Sequence, residues 1–414
     1  MKLKVLLILI ILFKFTSNAQ TKILFDASKG QMAGNADWII DADIFNIRFT
    51  GGPASIGGSE SNPQRVPTPS QSGINATTTE DFWTGAASAW AVDCAKIGYL
   101  VESLPYNSLL TFGDLSNPQD LSNYKVFITI EPNILYSSSE KIALLNFVQN
   151  GGGLFMVSGH DGADRNFDGY DAIGVLNDFM NNNSIGVNPF GINFNVNNTG
   201  NITSTNLANV ASNPILSGSF GNVTLIKYFQ GATININQTL NSSAQGLIYQ
   251  TGLSTTGNNG ILFASSTYGL GKVAAIGDSS PIDDGTGDLN DNLFFGYSDA
   301  NGSHRKLIMN ATQWLATQNL ANETYFIDTL DINISQNPTK DKKLIINFNL
   351  HEDEKKLKIE ILDNLGRITT TDTLIDIKLG TNAKSISLEN LNTGIYFCKI
   401  STESKSKTIK FILN

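Results

Sequence analysis

The segment KVFITIEPNILYSSSEKIALLNFVQNGGGLFMVS, residues Lys125–Ser158, contains the pattern that predicts the architecture of this chain. Short apolar runs at Lys125–Ile130 and Gly153–Ser158 are typical of buried strands, and Ser138–Asn150 between them has the spacing of an amphipathic helix. Gly151 is the kind of residue at which such a helix ends. A strand, a helix and a second strand at this spacing favour parallel neighbours in a sheet that helices cover.

The same alternation continues on both sides of this segment. Further strands are predicted at Lys22–Asp26, Tyr99–Ser103, Gly246–Gln250, Gly260–Ala264 and Lys272–Gly277, and further helices at Glu80–Lys96 and Arg305–Thr317. The Gly-, Pro- and Ser-rich residues 50–79 lack a regular pattern and are predicted to form a long loop. We therefore predict one α/β domain over residues 20–319, with a parallel sheet covered on both faces.

The charge of the chain is unevenly distributed. The formal net charge is −9 over 414 residues, whereas residues 20–334 contain 12 Lys and Arg against 27 Asp and Glu, a balance of −15. Such an acidic surface repels phosphate backbones, so no nucleic-acid partner is expected. The same surface tolerates divalent cations well. A chain of this length also predicts two or three domains.

Residues 1–19 have the features of a signal peptide. Two lysines precede the apolar run Val5–Phe13, and small residues at Ser17 and Ala19 predict cleavage before Gln20. The apolar run is too short for a transmembrane helix, and no later segment reaches the roughly 18 apolar residues that a membrane span needs. The chain is therefore expected to be exported and to have no transmembrane span.

Beyond a predicted linker at residues 320–334, the pattern changes to short alternating runs. In residues 335–414 these runs are separated by polar turns, which predicts a small antiparallel β-sandwich. Seven motifs occur there in order: Asn337-Pro338-Thr339, Leu344-Ile345-Ile346, Ile359–Leu362, Asn364-Leu365-Gly366-Arg367, Leu388-Glu389-Asn390-Leu391, Gly394-Ile395-Tyr396-Phe397 and Lys410-Phe411. With this series the segment resembles the type A C-terminal sorting domain of the type IX (Por) secretion system.

This resemblance implies a destination and a partner. It implies that the type IX secretion machinery recognises the chain and that the protein is secreted or anchored at the outer cell surface. A sorting domain labels cargo and does no chemistry, so the function is expected upstream of it.

Three stretches of the predicted α/β domain carry a looser resemblance. They are Gly151–His160 (GGGLFMVSGH), Asn213–Leu216 (NPIL) and Tyr268–Asp278 (YGLGKVAAIGD). They are similar to the class I glutamine amidotransferase-like superfamily, in particular its sugar-utilisation and gliding/intraflagellar-transport-type branches, which implies a flavodoxin-like fold. That superfamily places a Cys next to a His at the turn after the first stretch, whereas here the turn reads GHDG from Gly159. Glutamine amidotransferase activity is therefore excluded.

Polar residues cluster after the predicted strand that ends at Ser158. They are His160, Asp161, Asp164, Arg165, Asn166 and Asp168. Asp26 and Asp278 each follow another predicted strand, and the carboxyl ends of parallel strands meet at one edge of a sheet, where ligand and catalytic groups collect.

We expect the catalytic groups to come from this cluster and from the two strand-end aspartates. His160 would act as general base or metal ligand, beside Asp161. Asp26 and Asp278 would orient the imidazole or bind metal, and Arg165 would hold an anionic group of the substrate. The alternative is that these side chains only cap helices and tie loops together.

One loop of the cluster has the spacing of a calcium site. The residues DRNFDG from Asp164 match the first half of a calcium loop, D-x-N-x-D-G, with Asp164, Asn166 and Asp168 as metal ligands. The twelfth position, where an EF-hand has a bidentate acid, is Val175, so this is not an EF-hand. An ordinary Asp/Asn/Gly turn explains the same residues. Ca²⁺ is the divalent cation expected, and no organic cofactor is expected.

The sequence leaves three functions open. The favoured one is an extracellular hydrolase that acts on a polymer, for example a glycan, with a divalent cation. The second is a non-catalytic glycan- or surface-binding protein that uses the same cleft. A nuclease or phosphodiesterase also fits His, Asp and metal chemistry but conflicts with the charge of −15. Aromatic residues expected near the cleft, Trp83, Trp90 and Tyr170, would serve either a sugar enzyme or a lectin.

Overall fold

The computed structural model describes residues 20–33, 36–41, 47–48, 55–56, 70–210, 212–286, 296–317, 331–350, 354–364, 367–402 and 406–414. The chain divides into two compact units, Met1–Asn319 and Leu320–Asn414. The predicted signal peptide, most of the predicted linker at residues 320–334 and most of the predicted loop at residues 50–79 lie outside the described residues.

The described part of the first unit is built from helices and strands in alternation. The helices are α1 (Ser88–Lys96), α2 (Ser138–Gln149), α3 (Ala172–Asn181) and α4 (His304–Ala316), with 3-10 turns at Glu80–Phe82 and Leu121–Asn123. The strands are β1 (Lys22–Asp26), β2 (Met32–Ala33), β3 (Ala36–Asp37), β4 (Ile47–Arg48), β5 (Ser55–Ile56), β6 (Leu100–Leu104), β7 (Val126–Ile130), β8 (Gly153–Val157), β9 (Ile192–Phe194), β10 (Ile202–Ser204), β11 (Asn206–Leu207), β12 (Ser217–Gly218), β13 (Gly221–Asn222), β14 (Ile226–Tyr228), β15 (Ile234–Ile236), β16 (Gln245–Tyr249), β17 (Ile261–Tyr268) and β18 (Gly271–Ile276).

A mixed sheet forms the centre of this unit, in the order β11-β16-β17-β18-β8-β7-β1-β6. The five strands from β18 to β6 are parallel, which confirms the predicted parallel sheet for most of its central strands. The prediction is wrong for the other side of the sheet, where β17 runs antiparallel to β18 and β16 antiparallel to β17. Strands β9 and β15 extend this antiparallel side.

Helices cover both faces of the sheet. Along β7 successive side chains point to opposite faces, so Ile128 packs in the same core as Trp90 of α1 and Leu307 of α4. Phe127 packs on the other face with residues of α2 and α3, among them Phe179. Burial on both faces explains why the parallel strands read as continuous apolar runs and not as alternating ones.

Helix α1 begins later than the sequence pattern predicts. The predicted helix Glu80–Lys96 is interrupted after Phe82, because the backbone at Gly85 packs against Ile39, where a Cβ would lie 2.5 Å from the carbonyl oxygen. The first turn of α1 is capped by Asp284, which accepts hydrogen bonds from the Ser88 hydroxyl and the Ala89 amide, both at 2.7 Å. A carboxylate at this end also interacts favourably with the helix dipole.

Ion pairs with buried carboxylates hold the helices to their neighbours. Glu140 closes a capping box at the start of α2 and pairs with Lys29 at 2.7 Å. Arg305 at the start of α4 forms a bidentate pair with Asp93 of α1, at 2.6 and 2.7 Å. Tyr297 donates its hydroxyl to the same Asp93 carboxylate. These contacts fix both helix layers against the sheet.

The second unit is all β in its described residues. Its strands are β19 (Asp331–Ile334), β20 (Lys343–Leu350), β21 (Glu354–Leu362), β22 (Ile368–Ile377), β23 (Gly380–Ser387), β24 (Gly394–Ser401) and β25 (Ser406–Leu413). They form antiparallel sheets in the orders β19-β20-β23 and β22-β21-β24-β25. Side chains of both sheets, such as Leu344 and Ile359, share one apolar core, as a β-sandwich requires.

Among the described residues, no helix is long and apolar enough to cross a bilayer.

Candidate functional site

The carboxyl ends of the parallel strands meet at one edge of the first unit's sheet. Strand β1 ends at Asp26, β7 is followed by Glu131, β8 by Ser158 and β18 by Gly277. Backbone hydrogen bonds continue past the strand ends, from Glu131 N to the Val157 carbonyl at 2.9 Å and from Ser158 N to the Ile276 carbonyl at 3.0 Å. The sheet therefore places the residues that follow β7, β8 and β18 side by side.

Asp26 is buried in a hydrogen-bonded cluster of its own. One carboxylate oxygen accepts from the Ser28 hydroxyl at 2.6 Å and the Ser28 amide at 2.9 Å. The other accepts from Tyr136 at 2.8 Å and Thr129 at 3.1 Å. Burial raises the pKa of Asp26, and these hydrogen bonds offset part of the shift. Both carboxylate oxygens therefore accept hydrogen bonds, as expected of a residue that links β1 to the neighbouring elements.

Asp278 is also fully buried and bonded locally. Its carboxylate accepts from the Phe229 amide at 2.8 Å, the Ser280 amide at 2.9 Å and the Ser280 hydroxyl at 2.8 Å. Burial, together with the nearby Glu131, raises its pKa to about 7. Among the described residues no hydrogen bond joins Asp26 or Asp278 to His160, so the direct orientation predicted for these groups stays a prediction.

Glu131 lies at the centre of this edge, and sequence reasoning missed it. Its side chain keeps only 5% exposure, and its backbone has a φ of 41°, a left-handed conformation that is rare for a residue with a Cβ. The Ser279 hydroxyl donates a hydrogen bond to Glu131 Oε1. A Cβ at residue 159 would lie 2.8 Å from this carboxyl group, which explains the requirement for Gly159.

The charge state of Glu131 depends on opposing effects. Burial raises its pKa, whereas Arg165, the Ser279 hydroxyl and His160 lower it. Gly159, the residue before His160, packs against the same carboxyl group. Glu131 thus joins the start of the loop that carries His160 and Arg165 to the loop after β18. It directly follows an apolar strand, the same signal that singled out Asp26 and Asp278.

His160 and Asp161 form the solvent side of the site. The His160 imidazole is half-buried, and its Nδ1 lies 2.7 Å from the Asp161 carbonyl oxygen. A carbonyl oxygen can only accept, so Nδ1 carries a proton and Nε2 of a neutral ring is left as the acceptor. The Asp161 side chain is exposed, and its amide donates to the Asn197 carbonyl at 3.2 Å.

Arg165 contributes a cation to the same region. Its backbone amide donates to Asn133 Oδ1 at 3.3 Å, which fixes the start of the loop. Its Nε is buried and has no hydrogen-bond partner among the described residues. The guanidinium therefore keeps a donor for another group.

The predicted calcium ligands lie in a loop that bonds to itself. Asp164 accepts from the Gly169 amide at 2.8 Å, and the Asn166 amide group donates to Asp168 at 2.8 Å. Asn166 also donates to the Asn133 carbonyl at 2.7 Å. Calcium binds oxygen ligands, so Asn166 would have to present its side-chain oxygen where its side-chain nitrogen now donates. Within the described residues no group of three or more His, Cys, Asp and Glu could hold a metal ion, and calcium stays a prediction.

Two of the aromatic residues expected near the cleft lie in the core. Trp83 is buried, and Trp90 donates its indole N–H to Thr312 at 2.9 Å beneath the helix layer. In contrast, Tyr170 is 41% exposed and Phe167 is 68% exposed, both in the loop between β8 and α3. The prediction is therefore wrong for the two tryptophans, because both belong to the buried core cluster, in which the Trp90 ring packs against Phe25 and Phe155.

The second unit matches a protein-family model. Residues 333–414 match the secretion system C-terminal sorting domain. The sorting domain makes the chain a type IX secretion cargo and implies interaction with the type IX machinery. It also supports a secreted or cell-surface location, as the sequence motifs predict. The fusion to an amidotransferase-like domain and the flavodoxin-like fold remain unconfirmed.

Other comparisons give weaker likenesses. The mmIFT52 N-terminal domain is 18% identical, with a TM-score of 0.36, over 59% of this chain and 97% of that chain. PorZ, an essential bacterial surface component of the type-IX secretion system of human oral-microbiomic Porphyromonas gingivalis, is 15% identical, with a TM-score of 0.16, over 23% of this chain and 12% of that chain. No curated protein matches. At these TM-scores neither likeness bears on fold or function.

Proposed function

We propose that the first unit is an extracellular hydrolase that acts on a polymer, with Glu131 as its general acid–base group. The observation that carries the proposal is the buried Glu131 carboxyl group, which has a left-handed backbone conformation, accepts a hydrogen bond from Ser279 and packs against Gly159. Strained backbone and shifted pKa values are concentrated at functional sites. Burial raises the pKa of Glu131, and a carboxyl group with a raised pKa is suited to accept and return a proton.

The neighbours of Glu131 supply the other parts of such a site. The unbonded Arg165 Nε is suited to a developing negative charge on the substrate. His160 is half-buried, and its bond to the Asp161 carbonyl oxygen through Nδ1 leaves Nε2 of a neutral ring as a proton acceptor. Asp278, with a pKa of about 7, is a second carboxyl group close to Glu131. A divalent cation at Asp164, Asn166 and Asp168 would order the loop that carries Arg165.

A non-catalytic binding protein is the second candidate. The observation that favours it is the exposure of Phe167 and Tyr170 on the loop beside His160. Exposed aromatic faces stack against sugar rings and other apolar surfaces, and Phe167 is held at a φ of 59° that a bulky residue rarely adopts. The net charge of −15 in residues 20–334 favours a neutral or cationic polymer for either candidate.

The test is a hydrolysis screen with the full chain and its variants. Neutral polysaccharides, acylated polysaccharides and protein substrates are incubated with wild type, Glu131→Gln and His160→Ala, and soluble products are quantified. We expect wild type to release products from at least one polymer, and Glu131→Gln to lower kcat by about 10²- to 10⁴-fold.

The matched control is Glu102→Gln, which alters a buried strand glutamate that pairs with Lys22 and Tyr124 and lies outside the site. It should keep wild-type kcat once its melting temperature shows that it is folded. If wild type binds a polymer without hydrolysing any, and Phe167→Ala weakens that binding, the binding protein replaces the hydrolase.

A further inference from the structure

We infer that Ser279 is a covalent nucleophile of this site and that the bond cleaved is an ester or an amide on the polymer. The inference rests on the proposed hydrolase function and names its substrate class. Glu131 then acts as the base that activates the serine, and the chemistry is acyl transfer to water.

The geometry of the Ser279 hydroxyl carries this inference. Ser279 is the third residue after β18, and its hydroxyl donates directly to Glu131 Oε1. A hydroxyl nucleophile is activated when a base lies within hydrogen-bond reach and a further group orients that base. Glu131 is oriented by the close approach of Gly159.

The neighbouring serines lack this arrangement. The Ser280 hydroxyl donates to Asp278, where it helps to fix the loop after β18. Ser158 is fully buried, and its hydroxyl lies 3.4 Å from the Gly159 carbonyl oxygen. Ser279 keeps 5% exposure and is the one of these three that is bonded to Glu131.

The proposed reaction transfers the acyl group first to Ser279 and then to water. Ser279 Oγ attacks the acyl carbon while its proton passes to the Glu131 carboxylate, and Arg165 stabilises the oxyanion that forms. The bond to the leaving alcohol or amine then breaks, and the leaving group takes the proton from Glu131. Water next attacks the acyl ester on Ser279 and gives a proton to Glu131. The serine oxygen takes that proton back, and a carboxylic acid is released.

A fluorophosphonate probe tests the nucleophile on the full chain. Activated serine hydroxyls attack its phosphorus and displace fluoride, so intact mass and peptide mapping locate the adduct. We expect one adduct, on Ser279, with labelling at least about 100-fold slower in Glu131→Gln. Ser116→Ala, which removes an exposed hydroxyl that donates to Asp114, should be labelled at the wild-type rate and is the matched control.

Mapping the label on wild type decides the question even if a variant fails to fold. An adduct on another residue, or no adduct, overturns the nucleophile. If Ser279→Ala still releases polymer products at the wild-type rate while Glu131→Gln does not, the nucleophile is wrong and the hydrolase stands. If wild type is neither labelled nor active on any polymer, both proposals fail.

Discussion

Glu131 and Asp278 follow strands on either side of β8, and both carboxyl groups are buried. Each is held by a serine of the same loop, Ser279 for Glu131 and Ser280 for Asp278. Burial raises both pKa values, because the charged form loses its hydration. Protonation of these two carboxyl groups should therefore be measurable as a change in stability.

Stability should fall as the pH rises through the range in which Asp278 titrates. Its pKa is about 7 in the folded chain against an ordinary 3.8, so the folded state holds the proton more tightly. The stabilisation is complete below pH 3.8 and is lost as the pH rises to about 7. We expect Asp278→Asn to flatten the decline in unfolding free energy between pH 5 and 8, measured by chemical denaturation.

The pKa of Glu131 is also raised, so its ionisation likewise lowers the free energy of unfolding as the pH rises. In Asp278→Asn the dependence of this free energy on pH should therefore be weaker than in wild type but not absent. Asp114→Asn is the comparison, because this exposed group has a lowered pKa and titrates at lower pH. An unchanged slope in Asp278→Asn would show that Asp278 is ionised throughout this range.

The sequence predicts which carboxyl groups follow strands, but not which of them lie together. Asp26 and Asp278 were predicted as site residues because each follows an apolar strand, and Glu131 has the same signal but is followed by Pro132 and an irregular stretch. The register of the sheet determines whether a carboxyl group at a strand end bonds to its own loop or faces the neighbouring strand. That register cannot be read from a single strand.

At the scale of the element, α1 shows how a distant residue determines where a helix begins. Ala87 at its N-cap makes no side-chain cap, and the donors of the first turn are satisfied by Asp284 from the loop after β18. The sequence around Ser88 contains no sign of this partner. The predicted start at Glu80 was therefore wrong for a physical reason, since the cap comes from another part of the chain.

Removing this cap should cost stability without affecting the candidate site directly. We expect Asp284→Ala to lower the free energy of unfolding by about 1–3 kcal/mol, because the Ser88 hydroxyl and the Ala89 amide lose a buried acceptor. Urea denaturation at neutral pH measures the difference. In a double-mutant cycle with Ser88→Ala, the two losses should be less than additive. Additive losses would contradict a direct bond between these residues.

The antiparallel side of the sheet was the hardest part to predict. Strands β9, β11 and β15 have only two or three residues each, too few for a period of two to appear in the sequence. The parallel strands have five or six residues that are buried on both faces, and their boundaries were predicted to within about two residues.

At the scale of the whole molecule, the two parts of the chain differ in net charge. Residues 20–334 have a balance of −15, whereas residues 335–414 contain 13 Lys and Arg against 10 Asp and Glu. The second unit has its own apolar core, which includes Leu344, Ile359 and Ile400. The sorting function and the candidate site are thus encoded in separate parts of the chain, each with a core of its own.

Transport of the protein beyond the periplasm should therefore depend on the second unit. Deleting residues 333–414 should leave the first unit folded, since its core clusters contain no residue of the second unit. In a host with a type IX system, we expect the truncated chain to accumulate in the periplasm and the full chain to reach the surface or medium. Cell fractionation and protease accessibility of intact cells distinguish these fates. Glu131→Gln in the full chain is the control and should be exported like wild type. A truncated chain found at the surface would mean that the first unit carries a sorting signal of its own.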